Sequence, residues 1–242
     1  MARGYDIFIA GGVYHFARLR ALLPLLASHG RVHLASIRLN SREIEELRPF
    51  CWRIHSPDHD PDGYRNFCLY CTRDLNRLAA SDYFIKIDAD VELGDNWIEY
   101  VDDQIRLNPQ VVLFGPIQGR RMNLYLTGER VKREIGFEIR MTDMTKVAGP
   151  FYVAKTSFFH RYDAEMQTIH RLLYDSSDAP DLEASGSVDC LRTIASEDTL
   201  RSMMVHLFGG PELIAAPEAR GLIMPLYSPP RIPAPRSSRS LP

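Results

Sequence analysis

Hydrophobic positions in the first half of the chain alternate between two periods. Tyr5 to Ala10 is a compact, mostly apolar run closed by Gly11-Gly12, as a buried strand would be. Phe16, Leu19, Leu22, Leu23 and Leu26 then recur at helical spacing, which predicts a helix closed by Gly30, with Pro24 kinking or restarting it. Val32 to Ile37 reads as a second strand. Ser41 caps an acidic first turn (Glu43, Glu45, Glu46), and Pro49 stops that short helix. Cys51 to His55 is expected to be a third strand. A polar loop, Ser56 to Gly63, then leads into a long helix from about Tyr64 to Ala80. Tyr83 to Ile87 is a strand, Asp95 caps a helix running toward Pro109, and Val111 to Phe114 is a further strand. This alternation predicts an α/β fold with a mostly parallel central sheet flanked by helices.

The second half is less regular. Arg130 to Met141 is amphipathic and mixed, and Val147 to Ala154 reads as a short strand interrupted by Gly149-Pro150. Asp175 to Ser187, rich in Asp, Ser, Ala and Gly, suits a mobile loop. Ser196 opens a helix, Glu197 to Phe208, stopped by Gly209-Gly210-Pro211. From Ser228 the chain is Pro, Arg and Ser with little to bury, so disorder is expected over 226–242. The expectation is one domain over 1–225, with a regular half over 1–115 and a less regular half over 116–225.

Composition narrows the setting. With 45% hydrophobic and 25% charged residues in 242, the chain is an ordinary soluble globular protein. A formal net charge of -2 argues against nucleic acid or an anionic membrane as partner. Neither a signal peptide nor a transmembrane segment is expected, because the apolar runs are too short. Four cysteines are few for a disulfide scaffold, which favours a reducing, cytoplasmic location. Cys68-x-x-Cys71 has no second pair to complete a zinc site. Asp58-x-Asp60-x-Asp62-Gly63 starts like a calcium loop, but Leu69 stands where a bidentate Glu is required.

Two carboxylate pairs carry the candidate chemistry. Asp88-Ala89-Asp90 ends the apolar strand Tyr83 to Ile87, which puts two carboxylates at the carboxyl rim of a sheet, where ligands bind in open α/β folds. Hard divalent cations take such oxygens together with substrate phosphates. Asp is also a common turn residue, and taken alone the pair would be an acidic turn. Glu197-Asp198 opens a later helix. One of the two could accept a proton, although capping and the helix dipole also place acids in a first turn. Gly11 and Gly12 allow close backbone approach to a nucleotide or simply make a tight turn. His206, two turns beyond Asp198, reads as a cation at a helix end.

Together these features resemble the GT-A fold nucleotide-sugar glycosyltransferases, most nearly the family 2 type. The resemblance rests on Cys71-Thr72-Arg73-Asp74-Leu75-Asn76, Lys86-Ile87-Asp88-Ala89-Asp90, Ala148-Gly149-Pro150-Phe151-Tyr152-Val153-Ala154-Lys155 and Ser196-Glu197-Asp198, over roughly residues 5 to 210. It implies a single GT-A domain, with a nucleotide-binding half over about 1–115 and an acceptor half over about 116–225. It further implies that Asp90 ligates Mn²⁺ or Mg²⁺, that Asp88 contacts the ribose or reaches the metal through water, and that His206 is a candidate third ligand. Asp198 would be the general base, with Glu197 second. Gly149 would let the backbone approach donor or acceptor, and Arg73 would bind the donor or pack its helix. The reaction implied is transfer of a sugar, with inversion, from a nucleotide-diphosphate donor to a hydroxyl or amine of a soluble small molecule or saccharide. Two departures concern the nucleotide. Ile9-Ala10-Gly11-Gly12-Val13-Tyr14-His15 replaces the family's Pro-containing turn, and Ile37-Arg38-Leu39-Asn40 lacks its acidic residue. The alternatives are a sugar-phosphate nucleotidylyltransferase and a catalytically silent sugar- or nucleotide-binding module of the same fold.

Overall fold

A computed structural model describes residues 4–55, 75–115, 122–147, 149–174, 197–215 and 223–225. In chain order the first elements are β1 (Tyr5–Gly12), α1 (Phe16–Ala27), β2 (Gly30–Ile37), α2 (Ser41–Leu47), β3 (Arg53–His55) and α3 (Leu75–Leu78). They are followed by β4 (Tyr83–Asp88), β5 (Val91–Leu93), α4 (Trp97–Leu107), β6 (Leu113–Phe114), β7 (Met122–Leu126) and α5 (Glu129–Ile135). The last are β8 (Ile139–Met144), β9 (Phe151–Lys155), α6 (Thr156–Arg161), α7 (Asp163–Tyr174), α8 (Glu197–Phe208), β10 (Ile214–Ala215) and β11 (Ile223–Pro225).

Seven strands form the central sheet in the order β10-β6-β9-β4-β1-β2-β3. Pairing is parallel throughout except at β9, which runs against both β4 and β6. The expected α/β architecture, a mostly parallel sheet flanked by helices, is what forms. β9 is the exception with consequences. Because it is antiparallel, its amino end, and the Gly149-Pro150 turn before it, lies at the rim where β1 and β4 have their carboxyl ends.

Successive residues of a strand face opposite sides of the sheet, and the core divides accordingly. Ile7, Ile9, Ile85, Ile87, Phe151 and Val153 pack with Leu19 and Leu23 of α1 and with Trp97 and Val101 of α4. Phe8, Ala10, Phe84, Tyr152 and Ala154 pack on the other side with Met166 and Ile169 of α7 and Leu200, Met203 and Met204 of α8. Lys86 and Asp88 share the parity of Phe84, so they belong to the α8 side. That is how two charges enter an otherwise apolar strand.

Several local expectations are corrected. α1 runs unbroken through Pro24, which lies on the exposed side of the helix, where water can satisfy the carbonyl that the ring leaves free. Gly30 opens β2; the helix has already ended at Ser28, whose amide bonds back to Leu25 and Leu26. Asn40 rather than Ser41 caps α2, in a reciprocal box with Glu43. Asn96, not Asp95, precedes α4, and its side chain makes no capping bond. The mixed segment near 130–141 resolves into α5 and β8, and β8 pairs with β7 as a separate two-stranded ribbon. A second ribbon pairs β5 with β11, directly after the Asp-x-Asp turn. The loop Ser56–Gly63, most of the Tyr64–Ala80 helix, the Asp175–Ser187 loop and the tail from Ser228 lie outside the described residues.

At the opposite rim from Asp88, fully buried Asp6 organises the start of the sheet. Its carboxylate accepts hydrogen bonds from Arg31 Nη2 (2.7 Å), His33 Nε2 (2.9 Å), the Ala80 and Ser81 amides (2.7 and 2.8 Å) and Ser81 Oγ (3.0 Å). Burial by itself would raise the Asp6 pKa. The bonds from His33, Ala80, Ser81 and Arg31 outweigh it and hold the carboxyl well below the ordinary range. Asp6→Ala should destabilise the fold by about 3–5 kcal/mol at pH 7, because Arg31 and two amides lose a buried partner. A carboxyl with a lower pKa folded than unfolded stabilises the fold above its unfolded pKa, about 3.9. That contribution is lost as pH falls toward the folded value. Urea titrations should therefore show the gap between wild type and Asp6→Ala holding down to about pH 4 and narrowing below it.

Candidate active site at the carboxyl rim

Asp88 is the last residue of β4, and its backbone is fixed on both sides. Its amide donates to the Pro150 carbonyl (2.8 Å), and the Ala89 amide donates to the Ala10 carbonyl at the end of β1 (3.0 Å). These bonds set the Asp-x-Asp turn between β1 and β9. Gly11 lies beneath it. A Cβ there would stand 3.0 Å from the Ala89 Cβ and 2.9 Å from Leu19 Cδ1, so the small residue is a packing requirement. Gly12 follows, partly exposed, with its amide donating to His15 Nδ1 (3.3 Å). The chain then turns outward through Tyr14, whose ring is 85% exposed.

A buried lysine grips the first carboxylate. Lys86, 2% exposed, donates to Asp88 Oδ1 at 2.6 Å and to the Gly149 carbonyl at 2.5 Å. One ammonium thus ties the Asp-x-Asp strand to the turn before β9. Asp90 is partly exposed, and among the described residues it has no hydrogen-bond or ion-pair partner.

Across the Gly149 turn lies Asp198, in the first turn of α8 and 5% exposed. Its Oδ1 accepts the Thr199 amide (2.8 Å), and its Oδ2 accepts Lys146 Nζ (3.0 Å), itself 6% exposed. Ser202, one turn later, donates to the Asp198 carbonyl and accepts the Val147 amide, fastening α8 to the segment that carries Lys146. Gly149 is packed directly on this carboxylate, and a Cβ on it would come within 2.9 Å of Asp198 Oδ2. Only glycine allows that approach without displacement. The two aspartates predicted from separate parts of the sequence are thus both tied to the Gly149-Pro150 turn, Asp198 by direct packing and Asp88 through Lys86 and the Pro150 carbonyl.

Further along α8, fully buried Arg201 donates to Tyr152 Oη (2.8 Å) and to Asn76 Oδ1 (2.8 Å), with the Phe84 and Phe159 rings about its guanidinium. Asn76 in turn donates to Asp163 Oδ1 (3.0 Å), linking α3, α7 and α8. His206 Nε2 meets the Thr145 carbonyl (3.3 Å), and burial lowers its pKa despite that bond. Its ring is therefore engaged with the backbone beside Lys146. Arg73 and the side chain of Glu197 lie outside the described residues.

The donor set suits a hard cation. Among the described residues no three His, Cys, Asp or Glu side chains converge as a preformed metal cage. Two carboxylates on one strand end are, however, the usual protein contribution where phosphates and water complete the shell. Of the two, Asp88 already has Lys86 as counter-ion. Lys86 and Lys146 were not among the predicted site residues. Lys86 carried a signal, a lone charge inside an apolar strand; Lys146 carried none.

No protein-family model matches this chain, and a sequence search of curated proteins finds no relative. Among solved structures it is similar to mouse xyloside xylosyltransferase 1, at 14% identity over 89% of this chain and 86% of that one, with a TM-score of 0.47. It is similar also to the glycosyltransferase GlyE of Streptococcus pneumoniae, at 10% identity over 89% of this chain and 46% of that one, TM-score 0.46. A third is glucosyl-3-phosphoglycerate synthase of Mycobacterium tuberculosis, in complex with Mn²⁺, UDP and phosphoglyceric acid. Identity is 9% over 85% of this chain and 79% of that one, with a TM-score of 0.40. At these scores the likenesses assign no function to individual residues. Among the described residues no helix is long and apolar enough to cross a membrane.

Gly149→Ala tests the packing at the centre of this site. The added methyl must push Asp198 from Lys146 or lift the turn from Lys86. Thermal denaturation should show a loss of about 1–3 kcal/mol, the usual range for overpacking. An unchanged melting temperature would mean that the turn is looser than the contact distance implies.

Proposed function

We propose that this chain is a metal-dependent glycosyltransferase of GT-A type, moving a sugar from a nucleotide-diphosphate donor to an acceptor hydroxyl or amine with inversion. The observation that supports this reading is that one turn, Gly149-Pro150, is tied to Asp88 through Lys86 and the Pro150 carbonyl and is packed on Asp198. Both carboxylates then belong to the carboxyl rim of an α/β sheet, where ligands bind. The resemblance of the sequence around both aspartates to the GT-A enzymes supports the same assignment. The few cysteines support a cytoplasmic setting, and a soluble small molecule or saccharide is the proposed acceptor.

Asp90 would hold Mn²⁺ or Mg²⁺ with Asp88 beside it, and the cation would neutralise the charge of the departing nucleoside diphosphate. Gly12, partly exposed at the β1 end, is the proposed point of backbone approach by the donor, whereas Gly11 is packed beneath Ala89 and Leu19 and is taken up by that packing. Arg73 is a further donor contact by resemblance. Asp198 accepts the proton of the acceptor group as it attacks the anomeric carbon, and Glu197 is the second choice for that role. His206 is a weaker candidate ligand, its imidazole being bound to Thr145. One base and one displacement give inversion.

Incubation with a panel of nucleotide sugars and Mn²⁺ should release nucleoside diphosphate. Pyrophosphate release instead would identify a nucleotidylyltransferase, and neither product a binding module. Asp90→Asn should abolish metal-dependent donor binding in calorimetry while the fold persists. Binding indifferent to this change and to chelator removes the cation from the reading. Asp198→Asn should cut turnover by roughly 10²–10⁴-fold with donor binding near normal, as loss of a general base would. If only Glu197→Gln is inactive, the two roles exchange.

A further inference from the structure

Asp198 is a buried carboxylate, and a buried charge is costly unless it is paired and hydrogen-bonded. The Thr199 amide donates to Oδ1, and the Lys146 ammonium meets Oδ2. The amide is part of the helix start and carries no net charge. Lys146 brings a full positive charge to within 3.0 Å of Oδ2. It comes from a different element, just after β8, and it is nearly as buried as Asp198 itself.

We propose that Lys146 is a positioning residue for the transfer: it pins the Asp198 carboxylate against the Gly149 turn. This rests on the glycosyltransferase reading above. The geometry gives the role a specific form. Lys146 holds Oδ2, and it is Oδ2 that packs on Gly149. Lys86 holds the same turn from its other side through the Gly149 carbonyl. The turn is therefore clamped between two ammonium–carboxylate pairs, and loss of Lys146 frees the base end of the clamp while leaving the Asp-x-Asp end intact. Lys146 touches neither substrate nor cation in this scheme and acts through Asp198 alone.

A double-mutant cycle separates this from a merely structural lysine, because residues acting through one another are not additive. Lys146→Met should lower kcat on the order of 10²-fold. The KM for the nucleotide sugar should change less than threefold. In the Asp198→Asn background Lys146→Met should cost nothing further. Losses that multiply, or a Lys146→Met enzyme with near wild-type kcat, overturn the proposal, as does a loss carried mainly in donor KM. If Lys146→Met does not fold, Lys146→Arg replaces it. Retention of the charge should then preserve at least a tenth of wild-type kcat, and a loss matching Asp198→Asn overturns the role. The melting temperatures of the same four proteins read the pair without any assay of transfer. Each single variant strands one buried charge and should melt lower than wild type, while the double variant should recover most of that loss. Additive melting losses refute the pairing. If wild type releases nucleoside diphosphate from no donor, the enzymatic reading fails and the positioning role falls with it, even where the melting cycle shows coupling.

Discussion

The antiparallel pairing of Phe151–Lys155 with Tyr83–Asp88 is the constraint on which the rim depends. A parallel strand in that place would present its carboxyl end beside Asp88 and carry its preceding turn to the far side of the sheet. Reversed, it delivers Gly149 and Pro150 to the Asp88 end, where Pro150 accepts the Asp88 amide and Gly149 accepts Lys86. The glycine then leaves just enough room for Asp198 of α8 to close over it. One reversal of strand direction thus joins carboxylates that are 110 residues apart by their numbers in the sequence.

Buried charge is the second theme, and its cost explains how the groups are distributed. Asp6, Lys86, Lys146, Asp198 and Arg201 are all buried polar residues, and each has polar partners. Removing one partner from such an arrangement leaves an uncompensated charge, which is far worse than losing an exposed ion pair. Exposed pairs such as Arg48–Glu45 and Arg106–Asp103 contribute little by comparison. Asp6 fixes the amino end of β1 to β2 and to the turn before β4, and the lysine–aspartate pairs fix the carboxyl rim. Arg201 lies between them on the α8 side, enclosed by Phe84, Tyr152 and Phe159.

The helix that carries Asp198 is secured by tertiary contacts along its length. Its apolar side is buried through Leu200, Met203 and Met204, and Ser202 and Arg201 bond to segments from three other parts of the chain. A side chain in the first turn of such a helix is held in place by packing rather than by local propensity. That rigidity is what a group with a chemical task at this position needs.

The strands β1, β2 and β4, the helices α1, α4 and α8, and the placing of Asp88 at a strand end were all legible in the sequence. Each is encoded locally, by a run of apolar residues at period two or 3.6 and by punctuation from glycine and proline. The two-stranded ribbons β7–β8 and β5–β11 were not legible, because short strands acquire their meaning from partners far along the chain. The direction of β9 was equally hidden, since a buried strand reads the same whichever way its neighbours run. For the site, sequence alone determined which carboxylates stand at element ends. Tertiary structure decided that Asp88 and Asp198 are both tied to the Gly149-Pro150 turn and that Lys86 and Lys146 hold them. An ion pair between distant residues leaves no periodic trace, and its charge is tolerated only because the folded chain supplies the partner at about 3 Å.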